Sequence, residues 1–248
     1  MEKKIKLKTK DNYVIYGTLN TPKTKTDTLV VFVHGLAGHQ NEHIFFNAAK
    51  FFTTKGIATF RFNLYWGEKG ARVLSKTGFS DHAVDVETTF KYFRNKYNKI
   101  FVVGHSFGGI SILLAKLPQT AGLVLWDAAQ KYDRKDDQDD FRYVKSLGAY
   151  VMSYGIEVLF GKKMMEEWKK LPGPKGLIED KKVPVKVIVA GKGGLIKADK
   201  EYYQNAGGPK EFASIKGATH CFDEQGTEEK LFQETLKFVK KYSWIVSL

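Results

Sequence analysis

Ser106 lies in Phe101-Val102-Val103-Gly104-His105-Ser106-Phe107-Gly108-Gly109. This short apolar run stops at a glycine, presents a hydroxyl and continues into the apolar Ile110-Ser111-Ile112-Leu113-Leu114-Ala115. A strand that turns this sharply into a helix leaves no room for side chains beside the serine, which explains Gly104 and Gly108. The turn also holds the serine in a strained backbone conformation with its hydroxyl exposed. The helix that starts behind it directs its free N–H groups toward the same point. The spacing Gly-x-Ser-x-Gly between a strand and a helix is that of a serine nucleophile.

Serine attacks only when a base takes its proton, and histidine titrates in the right range for that task. The chain offers His34, His39, His43, His82, His105 and His220. His220 is the expected base. It lies in Lys216-Gly217-Ala218-Thr219-His220, between the last predicted strand and the last predicted helix, at the sheet end where the serine turn also falls. His34, in Val33-His34-Gly35-Leu36-Ala37-Gly38, follows a buried strand, and the glycines around it let the backbone approach a ligand. The N–H groups of Leu36 and Phe107 are therefore the expected oxyanion donors, and the His34 side chain is read as structural. His105 is expected to point away from the nucleophile. His39, His43 and His82 read as surface or cap residues, and Cys221 as a small buried filler.

Several elements must position these groups. Residues 5–7 and 13–19 read as an opening hairpin or meander. Thr28 to Val33 is a nearly continuous apolar run, as in a strand buried on both faces. Helical spacing runs from Asn41 to Lys55 and again from Asp81 to Tyr97. Further strands are predicted at Ile57 to Phe62, Ile100 to Gly104, Leu123 to Trp126, Val185 to Val189 and Glu211 to Ile215, with a closing helix over Glu228 to Tyr242. Strands alternating with helices give an α/β architecture with a mostly parallel sheet covered on both faces. Residues 131–182 break this rhythm. They open on the charged run Asp133 to Asp140, continue as apolar and aromatic patterns read as helices over Phe141 to Phe160 and Lys163 to Leu171, and close on Pro172-Gly173-Pro174. So long a connection reads as a helical insertion, a lid over the strand ends. The expected division is a core of residues 1–130 and 183–248 with the lid at 131–182.

The composition, 43% hydrophobic and 27% charged over 248 residues, is that of a globular protein. The net charge of +13 comes from lysines scattered along the chain. With no arginine stripe and no nucleic-acid motif, it reads as a solubilising surface rather than a polyanion site. A single cysteine excludes an intrachain disulfide. The start of the chain lacks the apolar stretch of a secretory signal, and no run approaches the ~20 residues of a membrane span. A cytoplasmic location is expected, with a homodimer left open. The histidines show no metal-ligand spacing, and no cofactor motif is present.

The His34-Gly35 turn, the Ser106 turn and the Gly217-to-His220 loop together resemble the α/β-hydrolase superfamily, in particular its small carboxylesterases, cinnamoyl-type esterases and monoacylglycerol lipases. The resemblance spans nearly the whole chain and is weakest at 131–182. It implies an α/β-hydrolase fold and a serine hydrolase that cleaves a small-molecule carboxylic ester through an acyl-enzyme. Thioesters and amides remain alternatives, as does a hydrolase-fold binding protein without turnover. Two departures stand out. Family members carry the triad acid after the penultimate strand in a Gly-x-x-Asp motif, but this chain reads Ala190-Gly191-Lys192-Gly193-Gly194, with Gly194 in the acid's place. Some members place the acid at the end of the strand after the nucleophile, which here is Asp127. Asp199 lies past Gly194 in the following helix and reaches the site only through a distorted loop. Asp127 is the favoured acid, with Asp199 or no acid at all as the other readings. The second departure is Asn63 in Phe60-Arg61-Phe62-Asn63, where the family has aspartate. Tyr65 and Trp66 after it either line the pocket or pack beneath the lid.

Overall fold

The computed structural model describes residues 1–66, 68–131, 141–153 and 157–243. Strand β1 (Glu2–Lys8) and strand β2 (Val14–Asn20) form the expected antiparallel opening pair. Strand β3 (Thr28–Val33), helix α1 (His43–Thr54), strand β4 (Ala58–Phe62), helix α2 (Phe79–Phe93), strand β5 (Lys99–His105), helix α3 (Phe107–Leu114) and strand β6 (Gly122–Trp126) follow in alternation. After an insertion come strand β10 (Val185–Ala190), helix α6 (Ile196–Asn205), strand β11 (Lys210–Ile215) and helix α7 (Thr227–Ser243). The sheet order is β1-β2-β4-β3-β5-β6-β10-β11. β2 meets β4 antiparallel, and every pairing from β4 to β11 is parallel.

The central parallel strands β3, β4, β6 and β10 are buried at every position because both faces are covered. Side chains alternate between the faces. Leu29, Val31, Ile100, Val102, Leu123 and Leu125 belong to one core, with Phe79, Ile110 and Tyr202 from α2, α3 and α6. Val30, Phe32, Phe101, Val103, Val124 and Trp126 belong to the other, with Phe45 and Phe52 from α1 and Phe232 and Phe238 from α7. Every strand crossing from β3 onward leaves its C-terminal end at one edge, and the loops there build the site.

The insertion differs from expectation. Its opening run, residues 133–140, lies outside the described residues. Among the described residues of Phe141 to Phe160 there is no helix. Strands β7 (Phe141–Val144), β8 (Ala149–Ser153) and β9 (Glu157–Gly161) make a separate antiparallel sheet, and only then do helices α4 (Lys162–Lys170) and α5 (Pro174–Ile178) appear. Aromatic and β-branched residues in short alternating runs fit a pleated surface better than a helix. Gly148, with φ +60°, closes the β7–β8 turn in a conformation other residues resist. Hydrogen bonds fasten the insertion to the core, and the Lys163 ammonium pairs with Asp81 at 2.6 Å. The Ser80 backbone N–H and hydroxyl donate to the Glu167 carboxylate at 2.8 and 2.7 Å, and the Trp168 indole donates to Gln130 O at 2.8 Å.

Candidate active site

Ser106 joins β5 to α3 with φ 52° and ψ −121°, a left-handed conformation that costs a non-glycine residue energy. Backbone bonds hold it there. Its N–H donates to Trp126 O at 3.1 Å, and its carbonyl accepts from Gly109 N at 2.9 Å and Ala129 N at 3.1 Å. The glycines are a steric requirement. A Cβ on Gly104 would stand 2.4 Å from Gly108 O, and one on Gly108 would stand 2.2 Å from Val33 O. Ala37, Asp127 and Phe222 also have positive φ, so four of the six such non-glycine residues among those described cluster around this sheet end. Strain concentrated in this way marks functional sites.

β5 and β6 are neighbours, with His105 opposite Trp126, so their next residues, Ser106 and Asp127, emerge side by side. Asp127 is fully buried. Its Oδ2 lies 2.6 Å from His220 Nδ1, and its Oδ1 accepts from Ala190 N at 2.9 Å. Among the three readings of the acid, this contact brings Asp127 to His220. Asp199, also buried, sits on α6, where its Oδ1 accepts from Ala128 N at 3.2 Å. Burial and the charge of Asp127 push its carboxyl well above the usual range. The position of the missing aspartate, Gly194, is open. A Cβ there would meet nothing within 4 Å.

The His220 loop leaves β11 through Gly217, whose φ of +88° allows the turn. Lys192 N donates to Ala218 O at 2.8 Å, and Thr219 N donates to the Glu224 carboxylate at 3.0 Å. A quarter of the His220 side chain is exposed. His105, expected to point away from the nucleophile, supports this loop. Its Nε2–H donates to His220 O at 2.9 Å, and the two imidazole rings lie 4.8 Å apart. Burial lowers the pKa of His105 to about 3, so the ring is neutral and the carbonyl acceptor fixes its proton on Nε2. Sequence reasoning missed this because alternation along a strand says which face a residue takes, not which loop returns to that face.

The Phe107 N–H opens α3, where helix geometry gives it no intrahelical acceptor. Among the described residues nothing accepts from it or from Leu36 N–H. Gly35 brings the Leu36 loop against the serine, since a Cβ on Gly35 would stand 3.0 Å from Ser106 Cβ. That loop is held from below. Leu64 N donates to His34 Nε2 at 2.9 Å, leaving the His34 proton on Nδ1, 2.9 Å from Gly35 O. Burial drops the His34 pKa to about 4. The Tyr65 hydroxyl donates to Gly35 O at 2.8 Å, so Tyr65 braces the loop as well as lining the space beside it. His82, read as a surface or cap residue, is instead a core residue of α2, 2% exposed and beside Tyr65. Cys221 is only partly buried.

A cavity of about 360 Å³ opens past Ala37, walled by Tyr65, Trp66, Val73, Val158 and Leu159. Arg72 also borders it, but its guanidinium is engaged by Asp85 at 2.8 Å and by Asp11 at 2.8 Å. On the other side of the serine, the Trp168 ring of the insertion meets the Phe107 ring edge to face at 4.7 Å. Among the described residues no group of three His, Cys, Asp or Glu side chains could hold a metal ion, and no helix is long and apolar enough to cross a membrane.

The sequence pattern of the family described as "Serine aminopeptidase, S33" matches residues 24–158, more than half of the chain. No curated protein matches. Many solved structures share the fold. Est1E from Butyrivibrio proteoclasticus, solved with ferulic acid bound, superposes with a TM-score of 0.79 at 15% identity, covering 96% of this chain and 99% of that one. The esterase domain of a Rhodothermus marinus protein gives 0.75 at 17% identity, covering 97% and 98%. The α/β hydrolase GrgF from Penicillium sp. sh18 gives 0.79 at 14% identity, covering 98% and 99%.

Proposed function

Because the chain belongs to the serine aminopeptidase S33 family of α/β-hydrolases, we propose that it hydrolyses carboxylic esters through a Ser106–His220–Asp127 triad. The observation that carries this reading is the 2.6 Å contact between His220 and a fully buried Asp127, at the strand end next to the strained Ser106. The esterases among the structural neighbours agree with it.

In this mechanism His220 Nδ1–H donates to Asp127, which leaves Nε2 free to take the Ser106 proton. The alkoxide attacks the ester carbonyl. The N–H groups of Leu36 and Phe107 bind the oxyanion, each contributing about 10²–10³ in rate. The imidazolium then protonates the leaving alcohol, and water, activated by the same nitrogen, frees the acid. The loop pinned by His34 and Tyr65 and the helix behind Phe107 keep both donors fixed, so no reorganisation is needed as charge develops. The cavity beside Ala37 has mostly apolar walls, with bordering Arg72 paired to Asp85 and Glu157 paired to Arg142, and suits an uncharged alkyl or aryl substituent of the ester. The insertion that carries β7 to α5 acts as a lid, through its contact with Phe107.

The test is fluorophosphonate labelling together with turnover of p-nitrophenyl esters. The wild-type protein is expected to label and turn over, and Ser106→Ala to do neither. A folded wild-type protein that does not label, yet retains a ligand, would make the chain a hydrolase-fold binding protein instead.

A further inference from the structure

Asp199 is the fourth residue of α6 and has no solvent contact. Its Oδ1 accepts the Ala128 N–H, and its Oδ2 has no donor among the described residues. The carboxylate of Asp127 stands beside it and interacts with it. An acceptor left without a donor in a buried place costs free energy. Two carboxylates side by side cost more, since like charges out of water cannot both ionise cheaply. One proton removes both costs. Asp127 already receives Ala190 N–H and His220 Nδ1–H, two donors that stabilise its anion. Asp199 receives one neutral N–H, so the proton belongs on Asp199. A carboxylate oxygen can accept two hydrogen bonds, which leaves Asp127 room for a third donor.

We propose that Asp199 is a positioning residue of this site: a neutral carboxylic acid whose Oδ2–H donates to the Asp127 carboxylate and sets its orientation and its pull on His220. This rests on the triad reading above. The helix is held for the task. The Tyr202 hydroxyl, one turn along, donates to Ala129 O at 2.8 Å, so α6 grips the two residues that follow Asp127 through one side chain each. The ionisable groups around the pair are His220 with Cys221 from the loop after β11, His105 beneath them as a neutral ring, and Tyr202, which burial and Asp199 keep un-ionised. Asp199 thereby spreads part of the Asp127 charge and tempers its pull on His220.

Two measurements test this. The first needs no activity: an infrared difference spectrum between the wild-type protein and Asp199→Asn at pH 7. The expected result is loss of one carboxylic-acid carbonyl band, and loss of carboxylate bands instead would overturn the proposal. The second is the pH profile of kcat/KM. Asn keeps an N–H donor toward Asp127 and an acceptor for Ala128 N–H, so Asp199→Asn is expected to lower kcat/KM by about threefold with the acid limb in place. Asp199→Leu removes the donor. It is expected to lower kcat/KM by more than about tenfold and to raise the acid limb by about one to two pH units, the worth of a hydrogen bond to a charged group. Equal losses in both variants with an unmoved limb would reduce Asp199 to a packing residue. A wild-type protein without turnover would defeat the triad reading and still leave the infrared result to decide this one.

Discussion

Asp127→Asn changes one oxygen into an amide and nothing in shape, yet the surroundings leave the new group no good orientation. One oxygen of Asp127 receives the Ala190 N–H at 2.9 Å and the other faces His220 Nδ1 at 2.6 Å. If the Asn oxygen keeps the Ala190 bond, its NH₂ faces Nδ1, which must then be unprotonated. His220 carries its proton on Nε2 and cannot accept one from Ser106. If the amide flips, NH₂ meets the Ala190 N–H, and a buried donor pair is left without an acceptor. The first arrangement is the cheaper, and the wrong tautomer at a serine hydrolase lowers the rate by about 10⁴, or about 5.4 kcal/mol of transition-state stabilisation. The assay is steady-state hydrolysis of a p-nitrophenyl ester by both proteins, with thermal unfolding to show that the variant is folded. The expected result is a loss in kcat with KM nearly constant, because the lost interaction acts only when His220 becomes cationic. A folded Asp127→Asn protein that keeps more than about a tenth of wild-type turnover would refute the assignment of the acid.

Gly108→Ala would drive a methyl to 2.2 Å from Val33 O, which backbone cannot yield. The expected outcome is a destabilisation of more than about 3 kcal/mol in urea unfolding, or no soluble protein. A stable, fully active variant would refute the packing argument for the turn. His82→Leu tests a buried imidazole whose pKa burial drops to about 3. A histidine lowered in the native state contributes stability that is lost as pH falls below its unfolded value near 6.5. At pH 5 that loss is about 2 kcal/mol, being about 1.5 units at 1.36 kcal/mol each. The stability of His82→Leu relative to wild type is therefore expected to rise by about that amount between pH 7.5 and pH 5 in urea titrations, and a constant difference would contradict it.

The chemistry-bearing turn was legible in the sequence because steric demand writes itself into residue type. Gly104, Gly108 and the apolar strand ahead of them admit few other structures. The Asp127 contact was reachable by the same logic, since adjacent parallel strands end at one rim and the first residue past each must be near the other. Phe141 to Phe160 was not legible as helix or sheet by periodicity, because runs of four or five residues satisfy either spacing. The turn at Gly148 and the alternation in Ala149-Tyr150-Val151-Met152-Ser153 carried the better signal. The burial of His82, the support His105 gives to the His220 loop and the pairing of Asp199 with Asp127 depend on which segments return to a given face. Those are long-range contacts that no local pattern encodes.

Phe107 has two faces to its work. Its backbone N–H opens the helix behind the serine, and its ring is where Trp168 of the insertion comes to rest. In the proposed reading, where the insertion is a lid, gate and reaction chamber share a hinge-pin. On that reading, a swing of the insertion away from the core would unseat the Phe107 ring next to Ser106, gearing admission of a guest to readiness to react on it.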